Sequence, residues 1–168
     1  MPPKAVVSVE GFPPISLVLR PDVCPQTVEH FCKLAPLFDG CCFYRCGTAS
    51  GTGEGDEVIQ CGLEEPDGEK VDNPLRPIRM NETSYGTTAF QTNNRGTAAF
   101  CHGDVPDAGN SDWFINLKHN EHLDTASGGY CVFANIHEDD YNSFEVLDKV
   151  AQAVRDGQRP LIRCIIVE

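Results

Sequence analysis

The chain has 168 residues, with 13 Lys and Arg against 25 Asp and Glu for a formal net charge of −12. That length is one domain able to bury a core without metals or cross-links, and 40% hydrophobic with 23% charged residues is a globular composition. The acidic balance argues against sequence-general nucleic-acid binding and against anionic membrane surfaces, and no apolar run approaches the ~20 residues that span a bilayer.

In chain order, short apolar runs with partial alternation predict strands over 6–9 and 15–19, joined by a turn at Glu10–Pro14. Pro25 suits the first turn of a helix, Val28, Phe31, Cys32 and Ala35 follow at helical spacing, and Pro36 ends the segment. A strand over 41–46 leads into residues 47–56, where four glycines predict an exposed loop. The loop lacks a G-K-[ST] ending and carries carboxylates, so phosphate binding there has weak support. A strand over 57–61 and an irregular stretch over 64–79 follow. Segments 86–90 and 96–100 echo each other and read as paired strands around a turn at 93–96. Strands are predicted over 113–117 and 130–136. Asn142 opens a second helix, with Glu145 as a capping-box partner, Phe144, Leu147, Val150, Ala151 and Val154 on the apolar face, and Gly157 at the C-cap. A last strand covers 161–167. Strands that are not interleaved with helices predict an antiparallel barrel or sandwich closed by two helices.

Nine cysteines include no C-x-x-C pair. The odd count and the absence of a signal-peptide apolar region read as a cytoplasmic protein with nine reduced thiols, several of them small core residues, and no metal site.

The ordered motifs resemble those of the cyclophilins, the peptidyl-prolyl cis-trans isomerases. Asp22-Val23-Cys24-Pro25-Gln26-Thr27-Val28-Glu29-His30-Phe31 is similar to the family's D-V-x-P-x-T-V-x-N-F, and Phe38-Asp39-Gly40-Cys41-Cys42-Phe43-Tyr44-Arg45 to its Y-x-G-x-x-F-H-R. Val58-Ile59-Gln60-Cys61-Gly62 resembles M-x-Q-G-G, and Asn110-Ser111-Asp112-Trp113-Phe114-Ile115 resembles G-S-Q-F-F-I. His122-Leu123-Asp124, with Gly129-Tyr130-Cys131-Val132-Phe133-Ala134, resembles W-L-D-G-x-H-V-V-F-G. The resemblance implies one domain over 1–168: a closed eight-stranded antiparallel β-barrel, mainly β, capped by two α-helices.

It also implies a chemistry. Rotation about an X–Pro bond meets a barrier of ~18–20 kcal/mol because amide resonance is lost. In the twisted state the proline nitrogen becomes pyramidal and can accept a hydrogen bond, so a fixed guanidinium stabilises that state over either planar form. By resemblance Arg45 has this role, and no cofactor or metal is required. A ~10⁵-fold acceleration needs ~7 kcal/mol of differential stabilisation. Phe43, Val58, Phe114 and Leu123 match apolar pocket positions. Gln60 matches the glutamine that holds the substrate carbonyl and orients the arginine. Phe100, Cys101 and His102 match the strand whose backbone meets the peptide. Asp112, His122 and Tyr130 stand at groove positions where the family has glutamine, tryptophan and histidine, Tyr44 replaces a histidine, and Glu57 stands near a phenylalanine position.

These departures predict reduced activity on proline-containing protein clients and weak cyclosporin binding. The alternative is a non-catalytic scaffold subunit of a larger assembly, of spliceosomal or axonemal type, with a nuclear or cytoskeletal location. Glu54, Asp56, Glu57, Asp104, Asp107 and Asp112 around the expected groove suggest a basic segment beside the target proline.

Overall fold

The computed structural model describes residues 1–48, 57–79, 82, 91–103, 109 and 111–168. The glycine-rich stretch from 49 to 56, the expected strand 86–90 and residues 104–108, with the groove carboxylates Asp104 and Asp107, lie outside these residues.

Eight strands form one sheet: β1 Lys4–Val9, β2 Phe12–Leu19, β3 Phe43–Gly47, β4 Val58–Cys61, β5 Thr97–Phe100, β6 Trp113–Asn116, β7 Val132–Asn135 and β8 Ile162–Val167. Their order is β3-β4-β6-β5-β7-β2-β1-β8, and every neighbouring pair is antiparallel. The sheet curls until its two edges approach. There an isolated bridge joins Cys42 to Leu161, and Ile162 N donates to Cys41 O at 2.8 Å. The edges share this bridge rather than a full ladder.

The turn between β1 and β2 is tighter than expected. It occupies Glu10 and Gly11, and Pro13 and Pro14 lie within β2. They fall opposite a register shift between Val7 and Val9, where a missing ladder N–H does little harm. The segment 96–100 also pairs differently from the hairpin expected of it. β5 has β6 on one side and β7 on the other, so both its edges are filled. Asn93, expected in an exposed turn, is fully buried. The turn residue that matters is Gly96, at φ +83°, where a Cβ would lie 2.6 Å from Phe144 Cε1.

Helix α1 spans Pro25–Leu34 and passes into a 3-10 turn, Ala35–Phe38, at the expected Pro36. Its free N-terminal N–H groups are satisfied from a distance. The Glu82 carboxylate accepts from Gln26 N at 2.9 Å, from Thr27 N and from Thr27 Oγ1 at 2.7 Å. Helix α2 spans Tyr141–Arg155. Its N-cap is Asp140 rather than Asn142: Asp140 Oδ1 accepts from Ser143 N at 3.0 Å and Oδ2 from Ser143 Oγ at 2.6 Å. The proposed capping partner Glu145 instead pairs with Lys149 one turn on, at 3.0 Å on the exposed face. At the other end Gly157 (φ +91°) donates to Val154 O and Gln158 N donates to Ala153 O, both at 3.0 Å, which is the Schellman arrangement the glycine predicted.

Six large aromatics fill the interior. Phe31 of α1 meets Phe133 at 4.8 Å and Trp113 at 5.3 Å between ring centroids, and Phe100 meets Phe133 at 5.0 Å. Phe38 and Phe43 complete the group against Trp113. Each such pair contributes ~0.5–1.5 kcal/mol beyond its buried area. The expectation of nine reduced thiols is overturned. Cys24, just before α1, and Cys131, just before β7, form a disulfide across 107 residues, and both are buried. The other seven cysteines are free.

Candidate active site

Strand register builds the site. Arg45 pairs with Gln60, Gln60 with Phe114, and Phe114 with Ala99, one residue from each of β3, β4, β6 and β5. Cross-strand partners share a face, so the cation, the amide, the aromatic ring and the small residue stand in one row. Residues two positions away share that face as well, which brings in Val58 and Cys101. Val58, Ala99, Phe114, Leu123 and Tyr130 form an apolar cluster separate from the interior core, with Cys101 and Ala126 packed against it.

Arg45 is half-buried at one end of the row. Its Nη1 donates to Gln60 Oε1 at 3.0 Å and its Nη2 donates to the Thr48 carbonyl. A guanidinium carries five N–H donors, so most remain for a ligand. Leu123 sits on a 3-10 turn, Glu121–Asp124, and Tyr130 N donates back to Leu123 O at 2.9 Å. The Tyr130 ring lies edge-on to Phe114 at 5.8 Å and stacks on His102 at 4.0 Å with an interplanar angle of 13°. His102 is anchored in turn, Nε2 2.7 Å from Gly129 O and Nδ1 2.9 Å from Gly103 O.

A buried amide network supports this wall from behind. Asp124 Oδ1 accepts from Asn93 N at 2.8 Å and Asn93 Nδ2 at 2.9 Å, and Asn93 Nδ2 also donates to Tyr130 O at 2.9 Å. Asn116 Nδ2 donates to Asn93 Oδ1 at 3.1 Å, and Asn120 Nδ2 to Asn116 Oδ1 at 2.8 Å. The sequence offered no sign of this network, because its asparagines lie up to 27 residues apart and fall in a turn, a strand and a loop.

One expected pocket residue, Phe43, stands elsewhere. The register of β3 shifts between Phe43 and Arg45, so their side chains do not share a face, and Phe43 packs inside against Trp113 at 6.3 Å. Phe100 points inward against Phe31 and Phe133, which leaves only its backbone for the outer face. His122, at the family's tryptophan position, turns back to Glu57: its Nε2 lies 2.9 Å from Glu57 Oε2, in contact without hydrogen-bond alignment. Glu57 is 1% exposed, and its Oε1 has no hydrogen-bond partner among the described residues. Glu57 therefore adds no accessible charge to the groove.

Asp112 and Cys101 are half-buried, and burial raises both from their ordinary values. Burial, then the Asp112 carboxylate, raises the Tyr44 phenol as well. Among the described residues no group of three His, Cys, Asp or Glu side chains is placed to hold a metal ion.

The chain matches the family model of the cyclophilin type peptidyl-prolyl cis-trans isomerases over residues 5–168. No curated protein matches it in sequence. Among solved structures it is similar to a Cryptosporidium parvum cyclophilin type peptidyl-prolyl cis-trans isomerase, at 16% identity and a TM-score of 0.69, covering 99% of this chain and 98% of that one. A structure of the same parasite protein in the presence of the dipeptide Ala-Pro matches equally, over 98% and 97%. At that identity the likeness bears on the fold, while the family model reaches almost end to end: the chain belongs to the cyclophilin type peptidyl-prolyl cis-trans isomerase family.

Proposed function

We propose that this chain is a peptidyl-prolyl cis-trans isomerase acting on exposed X–Pro bonds of protein clients. The observation that carries the reading is the single row of Arg45, Gln60, Phe114 and Ala99 beside the apolar cluster. A proline ring brought against Phe114, Leu123 and Val58, which are at most 1% exposed in this conformation and must first be uncovered, puts its nitrogen toward the guanidinium. Gln60 holds that guanidinium by one bond, and a glutamine amide has a further N–H to offer a substrate carbonyl. As the amide twists, the nitrogen lone pair develops and Arg45 donates to it. The arginine is already half-buried and oriented, so the transition state gains more than either planar isomer.

The Ala-Pro dipeptide of the Cryptosporidium parvum structure supports a dipeptide-sized recognition element here. The His122–Glu57 contact supports weak cyclosporin binding and a slower enzyme, since it removes a broad aromatic wall from the groove. Seven free thiols support the cytoplasm as the compartment. The Cys24–Cys131 bond weighs against it, and cell fractionation decides.

The test is exchange NMR on a proline tetrapeptide. Wild-type chain is expected to accelerate interconversion, and Arg45→Ala to lower that rate about 100-fold, the usual loss when one aimed donor is removed. A folded wild-type chain with no rate above the uncatalysed one would leave the protein as a binding scaffold.

A further inference from the structure

The hydrogen bonds around Gln60 continue past the arginine. Gln60 Nε2 donates to the Tyr44 hydroxyl at 2.7 Å, and the Asp112 carboxylate stands beside the Tyr44 phenol, where it can accept the phenol's hydrogen. Because the phenol oxygen already accepts from the amide, its own hydrogen goes to the carboxylate. The donors therefore run one way: Arg45 to Gln60, Gln60 to Tyr44, Tyr44 to Asp112. A cation closes one end and an anion the other. A glutamine amide can turn over, exchanging its oxygen and nitrogen, and here both ends resist that: the oxygen belongs to the guanidinium and the N–H to the phenol. Chains aligned this way strengthen each bond within them.

The far end is itself held. Asp112 occupies the space above Gly62, where a Cβ would lie 1.8 Å from Asp112 Oδ1. Lys70, paired with Glu64, places its ammonium 5.9 Å from the centre of the Tyr44 ring. Neither Tyr44 nor Asp112 belongs to the apolar cluster against which the proline would sit.

We infer that Tyr44 and Asp112 are positioning residues, which lock the Gln60 amide and through it aim the Arg45 guanidinium at the proline nitrogen. The turnover part of this inference rests on the isomerase reading above.

The inference carries a pH dependence. The groups facing Asp112 are Tyr44 of β3, Cys61 of β4, Cys101 after β5, and Glu64 and Lys70 of the loop that follows β4, with Ser111 beside it. Burial raises the Asp112 carboxyl from its ordinary value. Once protonated, Asp112 becomes a donor. A neutral carboxyl still accepts through its carbonyl oxygen but no longer holds the phenol hydrogen by charge, and where the phenol turns that hydrogen toward Gln60 the amide can satisfy it only by setting its NH₂ against Arg45. Turnover falls as pH falls through the Asp112 titration. Stability has the opposite sign: a carboxyl raised by folding contributes stability at low pH that is lost as pH rises through its folded value. Ionised Asp112 thus supports activity while lowering stability.

The experiment compares wild type, Tyr44→Phe and Asp112→Asn by exchange NMR on a proline tetrapeptide from acid to neutral pH. Melting temperatures and the ¹⁵N signals of the Gln60 amide and the Arg45 Nε are recorded alongside. Tyr44→Phe is expected to lower kcat about tenfold, the equivalent of one hydrogen bond to a charged group, with KM changed less than about twofold. Asp112→Asn is expected to lose the acid limb of the pH profile, turn over slowly at every pH, and melt higher than wild type. Both variants are expected to shift the Gln60 and Arg45 signals. Wild-type kcat with unshifted signals in Tyr44→Phe would overturn the inference, as would an acid limb retained in Asp112→Asn. If wild type itself gives no turnover, the isomerase reading fails separately. The side-chain signals then decide the positioning role: shifted in both variants they support it, unshifted they overturn it.

Discussion

Cys101 illustrates how little a single residue says about itself. It lies two positions beyond Ala99, on the side of β5 that carries the apolar cluster, in the strand expected to meet the peptide. The structure half-buries it, and burial, assisted by the Asp112 carboxylate, raises its thiol against the opposing pull of Arg45. The reactive species is the thiolate, so alkylation of Cys101 by iodoacetamide at pH 8 is expected to be slower than that of a free cysteine peptide. Mass spectrometry on a time course checks this, and labelling at the peptide rate would contradict it. Tyr44 and Asp112 teach the same lesson. Both are visible in the sequence as substitutions within recognisable motifs, but 68 positions separate them, and only the curl of the sheet makes them partners. Arg45, Gln60 and Phe114 were legible because their motifs are local and each side chain's face follows from strand alternation. Phe43 was misplaced because the register shift before Arg45 leaves no mark in the sequence.

At the scale of elements, apolar patterning and turn signals located both helices and all eight of the strands described, since the period records which face is buried. Ends and partners were less legible. The N-cap of α2 fell two residues before the expected one because Ser143 donates to Asp140, and α1 draws its N-terminal acceptor from Glu82, far along the chain. The segment around Gly96 is a tight joint between elements. Gly96 N donates to Asn116 O at 2.8 Å and Ile136 N donates to Gly96 O at 2.9 Å, while the Phe144 ring fills the place of a side chain. Gly96→Ala therefore meets both a positive φ and a clash. It is expected to destabilise the fold by about 1–3 kcal/mol and to lower the melting temperature by roughly 2–4 °C per kcal/mol. Calorimetry reads this directly, and a midpoint equal to wild type would show that α2 simply shifts aside.

For the molecule as a whole, the Cys24–Cys131 bond ties the start of α1 to the strand that follows Tyr130. In the chain-entropy account, closing a loop of 107 residues restricts the unfolded chain by about 4–5 kcal/mol. Reductant is expected to lower the melting temperature and to raise the thiol count in denaturant from seven to nine. An unchanged midpoint at nine thiols would mean that the cross-link adds nothing to the packing already there. The disulfide marks where sequence reading stops. Nine cysteines without paired spacing permit many connectivities, and only proximity selects one. By itself the sequence determined the number and order of elements, the mainly β character and the family motifs, because these depend on local periodicity and short-range turn chemistry. Tertiary structure alone decided the Arg45–Gln60–Tyr44–Asp112 alignment, the retreat of His122 onto Glu57, the asparagine network behind Tyr130 and the cysteine pairing. Each joins residues far apart in the chain, and their distances are set by strand register and the closing curl of the sheet rather than by any neighbour in sequence.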